Sequence, residues 1–284
     1  MSPRPSGGLD GRGPGQDRGP DEEPTVDTTQ LDSTVTQTEE VAGWVDGADP
    51  ATPVPTCPGW TLTNLVGHIG STQRWVTRLV AEGIGDPAAA FALASEDAPD
   101  DPEGWPGWLR TGAAEVRGTL AGATNGPDVF DPSGGGDGVV FWSRRVFGEI
   151  SVHRIDAAAT LDRRYTIDAP SAVAAIDDWL GTIASAGWAA VVPGFADAMR
   201  GTGQTIAWVA EDVDDAWLLR RTDAPLVLTS ERVAEADVLI TGPAEQLLQV
   251  VSRRLPLDAA TACTVRGDRA ELVHLIDHMD WVAG

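Results

Sequence analysis

The chain contains no lysine: all 20 of its basic residues are arginine, and they face 43 acidic residues, for a net charge of −23. Nucleic acids and anionic membranes are bound through basic patches, so neither is an expected partner. Long apolar runs are also missing, since none approaches the roughly 20 residues that cross a bilayer. The opening Met1-Ser2-Pro3-Arg4-Pro5 has no apolar stretch of the kind a secretion signal needs, and the expected location is the cytoplasm. Cysteine is scarce. Cys57 and Cys263 cannot make a disulfide framework, and two isolated thiols suit a reducing compartment. There is no Cys-x-x-Cys pair, no Gly-x-Ser-x-Gly elbow and no dinucleotide fingerprint.

What is present divides the chain into three parts. Residues 1–26 are rich in Gly, Pro, Asp and Arg, have almost nothing apolar to offset the entropy of ordering, and are expected to be a disordered tail. Residues 27–165 carry four stretches of helical periodicity. Leu31, Val41 and Val45 mark the first; Leu62, Leu65, Ile69, Val76 and Leu79 the second, with Thr61 as N-cap and Gly83 as stop. Trp105 to Ala121 reads as the third, and roughly Val139 to Leu161 as the fourth, so an antiparallel four-helix bundle is the economical packing. Residues 166–284 change character. A helix over Ala172–Trp188 precedes β-type runs at Thr205–Val209, Ala216–Arg221, Leu226–Thr229 and Ala236–Thr241. A helix over Pro243–Arg253, a strand near Ala262–Val265 and a helix over Asp268–Val282 close the chain. The expected fold class is therefore α+β, a helical bundle followed by a smaller α+β domain.

The fourth helical stretch carries chemistry. Glu149 and His153 stand at i and i+4, one turn apart on one face, beside the apolar stripe of Phe147, Ile150 and Ala157. His68 lies within the apolar stripe of the second helix and is the only histidine of the first 150 residues. In a bundle these two helices can face each other, and His68, Glu149 and His153 would then offer two nitrogens and a carboxylate oxygen to a Zn²⁺-like ion. Three ligands leave one coordination position open, as catalytic sites do.

Pro58-Gly59-Trp60-Thr61-x3-Leu65-Val66-x-His68, followed by Glu149-x2-Val152-His153-Arg154-x-Asp156, resembles the mycothiol-dependent maleylpyruvate isomerase family. Its N-terminal domain is a DinB-like four-helix metal-binding bundle. Ala236-Asp237-Val238, Gly242-Pro243-Ala244 and Val265-x-Gly267-Asp268 resemble that family's second, sterol-carrier-like α+β domain. The resemblance implies that His68, Glu149 and His153 are the metal ligands, with Zn²⁺ the first expectation. It implies further that the low-molecular-weight thiol mycothiol takes the open position. A metal-bound thiol loses its proton near neutral pH, and the thiolate would attack a small electrophilic substrate, either reversibly as in an isomerase or to stay attached as in a transferase.

Accessory roles follow. Asp156 could orient an imidazole from behind. Arg144, Arg145 and Arg154 could bind carboxylates of the thiol or substrate, and the family's use of an arginine from its C-terminal domain points to Arg254 or Arg266. The alternatives are a metal-dependent hydrolase or lyase that uses water in place of the thiol, and a non-catalytic small-molecule-binding module. His274 and His278 also stand at i and i+4, but Leu275 occupies the place where a metalloprotease motif has glutamate. A monomer or small homo-oligomer is expected.

Overall fold

A computed structural model describes residues 25–279 apart from 95, 125, 135, 192, 224 and 225. Positions 1–24 of the expected tail, 280–282 of the expected last helix and the final residues 283–284 lie outside the described residues. Helix α1 (Thr28–Val45) starts where Asp27 Oδ1 accepts the Thr29 amide at 2.8 Å. The chain then turns at Pro58-Gly59, where the φ of +86° suits glycine, and enters α2 (Leu62–Ala81). Asn64 Oδ1 accepts the Thr61 amide at 2.8 Å and fixes that entry.

A short helix, α3 (Pro87–Phe91), interrupts a stretch that carries no periodic pattern. α4 (Trp105–Gly122) and α5 (Gly138–Thr160) complete the bundle, the latter capped by Asp137 Oδ1 on the Val140 amide at 2.9 Å. α1 and α2 each pack against both α4 and α5, so α2 and α5 are neighbours. That adjacency brings the second and fourth periodic stretches face to face.

α5 is buried along nearly its whole length, because α1 and α2 cover one side and α6 (Ala169–Ile183) the other. Its polar residues must therefore find partners inside the protein. The closest approach is at Gly148, where a Cβ would lie 2.1 Å from Asp178 Oδ2 on α6. The helix expected over 172–188 is two helices: α6 ends at Ile183 and α7 (Ala186–Val191) begins where Ser185 Oγ accepts the Trp188 amide at 3.1 Å. A serine at that place caps a new helix more readily than it continues an old one. α8 (Pro193–Ala198) follows.

The sheet contains β1 (Thr205–Ala210), β2 (Ala216–Arg220), β3 (Val227–Thr229), β4 (Val238–Gly242) and, after α9 (Ala244–Val251), β5 (Thr264–Gly267), in the order β3-β2-β1-β4-β5. β1 and β4 are parallel and the other pairs antiparallel. Trp208 and Trp217 face each other across β1 and β2 and are both buried. β5 lies about two residues later than the strand pattern predicts, since the Cys263 amide is spent on a turn to Ala260 O at 3.0 Å and pairing with β4 starts at Thr264. α10 (Arg269–Asp277) is capped by Asp268 Oδ1 on the Ala270 amide at 3.0 Å. One apolar core runs from Phe147 and Val152 on α5 through Trp179 on α6 to Trp208 and Ile240 in the sheet. Among the described residues no helix is long and apolar enough to cross a membrane.

The α5–α6 approach sets a stability test. Gly148→Ala is expected to cost about 1–3 kcal/mol, because Asp178 is held in place by Arg145 and cannot retreat from the added methyl. Gly181→Ala on the exposed side of α6, where nothing lies within 4 Å, should be neutral or stabilising. Thermal unfolding of the two variants beside wild type checks this; equal midpoints would show that the helices can separate without cost.

Candidate metal centre

His68 on α2 and Glu149 and His153 on α5 meet at one point. Glu149 Oε2 lies 3.2 Å from His68 Nε2 and 3.0 Å from His153 Nε2. Such spacings are close to the edge, about 3.3 Å, of a tetrahedron built on bonds of ~2.0 Å. The other oxygen of Glu149 is bonded to the Arg145 guanidinium, whose far side is bonded to Asp178. Burial alone would raise the Glu149 carboxyl, but Arg145 and the hydrogen bonds from His153 and His68 hold it well below the usual carboxylate range. Glu149 is thus ionised and aimed. Trp60, delivered by the Pro58-Gly59 turn, stacks on His153 with ring centroids 6.1 Å apart and leans on His68 at 5.2 Å.

Behind His153 lies Asp156, fully buried. Its Oδ2 is 2.8 Å from His153 Nδ1, and as an ionised carboxylate it can only accept, so Nδ1 carries the proton. The same carboxylate accepts from Arg254 Nε and Nη2 at 2.9 and 2.8 Å, from Thr56 Oγ1 at 2.5 Å and from Cys57 Sγ at 3.4 Å. Burial pushes the Asp156 carboxyl up, yet the His153 hydrogen bond and the Arg254 charge outweigh it and hold the group far below its ordinary value. Burial likewise disfavours a charged His153, but Asp156 and Glu149 raise its proton affinity. A group that shares a proton between an imidazole and two carboxylates is one where a divalent cation can take the proton's place.

Among the described residues a second set, Cys57, His153 and Asp156, also gathers potential ligand atoms within 4.8 Å. There Arg254 already neutralises the carboxylate, and burial with the negative Asp156 pushes the Cys57 thiol up to about 12. That set is closed off. His68, Glu149 and His153 instead open on a cavity of about 440 Å³, whose walls include Trp75, Phe91, Phe130, Trp142, Trp179 and Trp188.

The arginines expected near the site take different places. Arg145 reaches it, though bonded to Glu149 and Asp178, and so contributes to the geometry of the triad. Arg154 turns the other way, to Glu40, to Thr166 O at 2.8 Å and over the Tyr165 ring, because α1 and the chain after α5 cover that face. Arg144 is exposed and outside the cavity wall. Arg266 is exposed on β5, pairs in register with Leu239 and does not line the cavity. Arg254 reaches Asp156 and not the cavity. Its path is set by Arg253, whose φ of +64° ends α9 with a left-handed turn and lets the Arg254 amide bond to Gln249 O at 2.7 Å. His274 and His278 bond to Ala198 O and His274 O at 2.8 and 2.7 Å, away from the triad.

Pattern reading passed over Thr56, Cys57 and Asp178. The signal for Asp178 was present, a carboxylate in the apolar run Ala172–Ile183, but its partner Arg145 lies 33 residues away. No local pattern joins them.

Fold and cavity together define a helical bundle with a His, Glu, His cluster joined to an α+β domain. Residues 31–158 match the family described as "Mycothiol maleylpyruvate isomerase N-terminal domain". In structure it resembles "Crystal structure of the mycothiol-dependent maleylpyruvate isomerase", with a TM-score of 0.51 and 12% identity, over 84% of this chain and 90% of that one. A histidine-to-alanine mutant of that isomerase aligns over the same shares at a TM-score of 0.50 and 12% identity. At this identity the likeness speaks to the fold. No curated protein sequence matches the chain.

The closed state of both thiols is testable. Cys57 is raised to about 12, and burial with the nearby Glu211 raises Cys263 to about 11, so neither forms appreciable thiolate at pH 8. Iodoacetamide at pH 8 should leave both unmodified in the folded protein and label both after denaturation. Rapid labelling of native Cys57, read by mass spectrometry, would contradict the buried hydrogen-bonded geometry.

Proposed function

We propose that the chain is a metal-dependent enzyme that uses mycothiol as its nucleophile, as an isomerase or thiol transferase acting on a small electrophile. The observation that supports this best is the meeting of His68, Glu149 and His153 in the lining of a cavity. The chain's own thiols add to it: burial raises both Cys57 and Cys263, and neither lines the cavity.

The three residues suit a divalent ion, Zn²⁺ first, with Ni²⁺ or Co²⁺ compatible with the same donors. When bound, such an ion supplies the Lewis acidity that lets an incoming thiol lose its proton at neutral pH. The protein's own groups do the rest. Asp156 holds the proton on His153 Nδ1 and so leaves Nε2 facing the cluster. Arg145 keeps one Glu149 oxygen occupied and the other directed at the two imidazoles. Arg254, held at the end of α9, keeps Asp156 ionised, so the C-terminal domain acts on the site through a carboxylate of the bundle. The largely apolar walls offer few hydrogen-bond partners to water, the competing nucleophile, in the space where an electrophile would meet the thiol.

The test pairs metal content with thiol dependence. Purified wild type should hold about one divalent ion per chain, and His153→Ala should lose most of it. Asp156→Asn should bind metal about 10- to 100-fold more weakly, as loss of a carboxylate behind a ligating histidine does. Circular dichroism checks that each variant is folded. Turnover of an electrophile panel should require mycothiol. Undiminished metal in His153→Ala would remove the triad from the reading, and full activity without thiol would move it to the water-using hydrolase or lyase.

A further inference from the structure

The cavity beside the triad is chemically one-sided. Away from the triad its walls are mainly aromatic rings drawn from separate parts of the chain, Trp75 from α2, Phe91 from α3, Phe130 from the loop before α5, Trp142 from α5, Trp179 from α6 and Trp188 from α7, with the short hydroxyl side chains of Ser133, Thr182 and Ser185 among them. The Trp75 and Trp142 rings meet edge to face with centroids 5.0 Å apart, and Phe91 and Phe130 do the same at 5.7 Å. The polar edges of two of these walls are already used, since Trp75 Nε1 donates to Ala90 O at 3.1 Å and Trp142 Nε1 to Phe130 O at 2.7 Å. What they turn to the cavity is carbon.

Charge tells the same story. Among the described residues that line the cavity the one guanidinium is Arg145, and it is shared between Glu149 and Asp178. Paired with two carboxylates, that guanidinium is not left to meet an anionic ligand. An anionic substrate would then enter a water-poor space without a counter-ion, in a protein whose net charge of −23 already repels it. At the lip stands Phe91, a large apolar side chain left 68% exposed, where an apolar ligand would cover it.

We propose that this pocket selects an uncharged electrophile with an aromatic or similarly flat apolar body and discriminates against small dicarboxylates. The proposal rests on the thiol-dependent reading for the fate of the ligand, while the selection itself comes from the walls and their charge. For an aryl epoxide the step balances within that reading: the sulfur–carbon bond forms, the carbon–oxygen bond breaks with its electron pair on oxygen, and oxygen takes the proton the thiol has lost.

The test separates recognition from chemistry. Recognition is measured on full-length protein treated with EDTA, with no thiol present. 4-Nitroanisole, an uncharged aromatic, is followed by quenching of tryptophan fluorescence, and fumarate, a flat dicarboxylate, by calorimetry. Nitroanisole should bind with a Kd roughly tenfold or more below that of fumarate. Phe91→Ala at the exposed lip should weaken nitroanisole several-fold. Thr182→Arg, which adds an uncompensated cation to the wall, should narrow the preference or reverse it. Fumarate binding as tightly as nitroanisole, or quenching that does not saturate, overturns the proposal. Chemistry is read on untreated protein with styrene oxide and mycothiol. A retained aromatic preference with no thiol dependence would refute the enzymatic reading and leave the selection standing. Thiol-dependent turnover of fumarate with no aromatic preference would do the reverse.

Discussion

A carboxylate with no solvent exposure holds this protein together around its site. Asp156 would be costly to bury alone, and it is tolerated because donors from three places converge on it: Thr56 and Cys57 from the turn before α2, His153 from its own helix, and Arg254 from the end of α9. The same bonds that make its charge acceptable fix the imidazole of His153 and fasten the sheet-containing half to the bundle. Local geometry of the triad and large-scale docking of the two halves are therefore one energetic problem. Weakening Arg254 is expected to be felt at His153, although no atom of the arginine lines the cavity.

α5 poses that problem along its whole length. A helix covered by α1, α2 and α6 has almost no solvent-facing side, yet this one carries Arg145, Glu149, His153, Arg154 and Asp156. Each is matched: Arg145 to Asp178 and Glu149, Arg154 to Glu40 and Thr166, Asp156 to Arg254. Matching uses up the guanidinium groups that might otherwise have met an anion. The aromatic cavity is thus a consequence of how the buried charges are satisfied, since the arginines near the site are occupied before any ligand arrives.

The chain's own sulfur is treated in the opposite way to its candidate ligands. Cys57 is kept protonated by burial and by the negative Asp156 to which it donates, whereas His68 and Glu149 remain partly open to the cavity.

The bundle helices, the N-cap at Thr61 and the juxtaposition of Glu149 and His153 were determined by sequence alone, because they depend on local turn signals and on spacing along a helix of fixed pitch. His68 could be tied to them at long range because an apolar stripe tells which way its helix faces. Tertiary structure decided everything that depends on which distant group neutralises which: Asp178 for Arg145, Glu40 for Arg154, Asp156 for Arg254 in place of a substrate. It also decided the break at Ser185, the start of β5 at Thr264 and the closing of aromatic rings from seven segments around one cavity. A guanidinium accepts any carboxylate within reach, and reach is set by packing, for which a linear pattern of charges has no code.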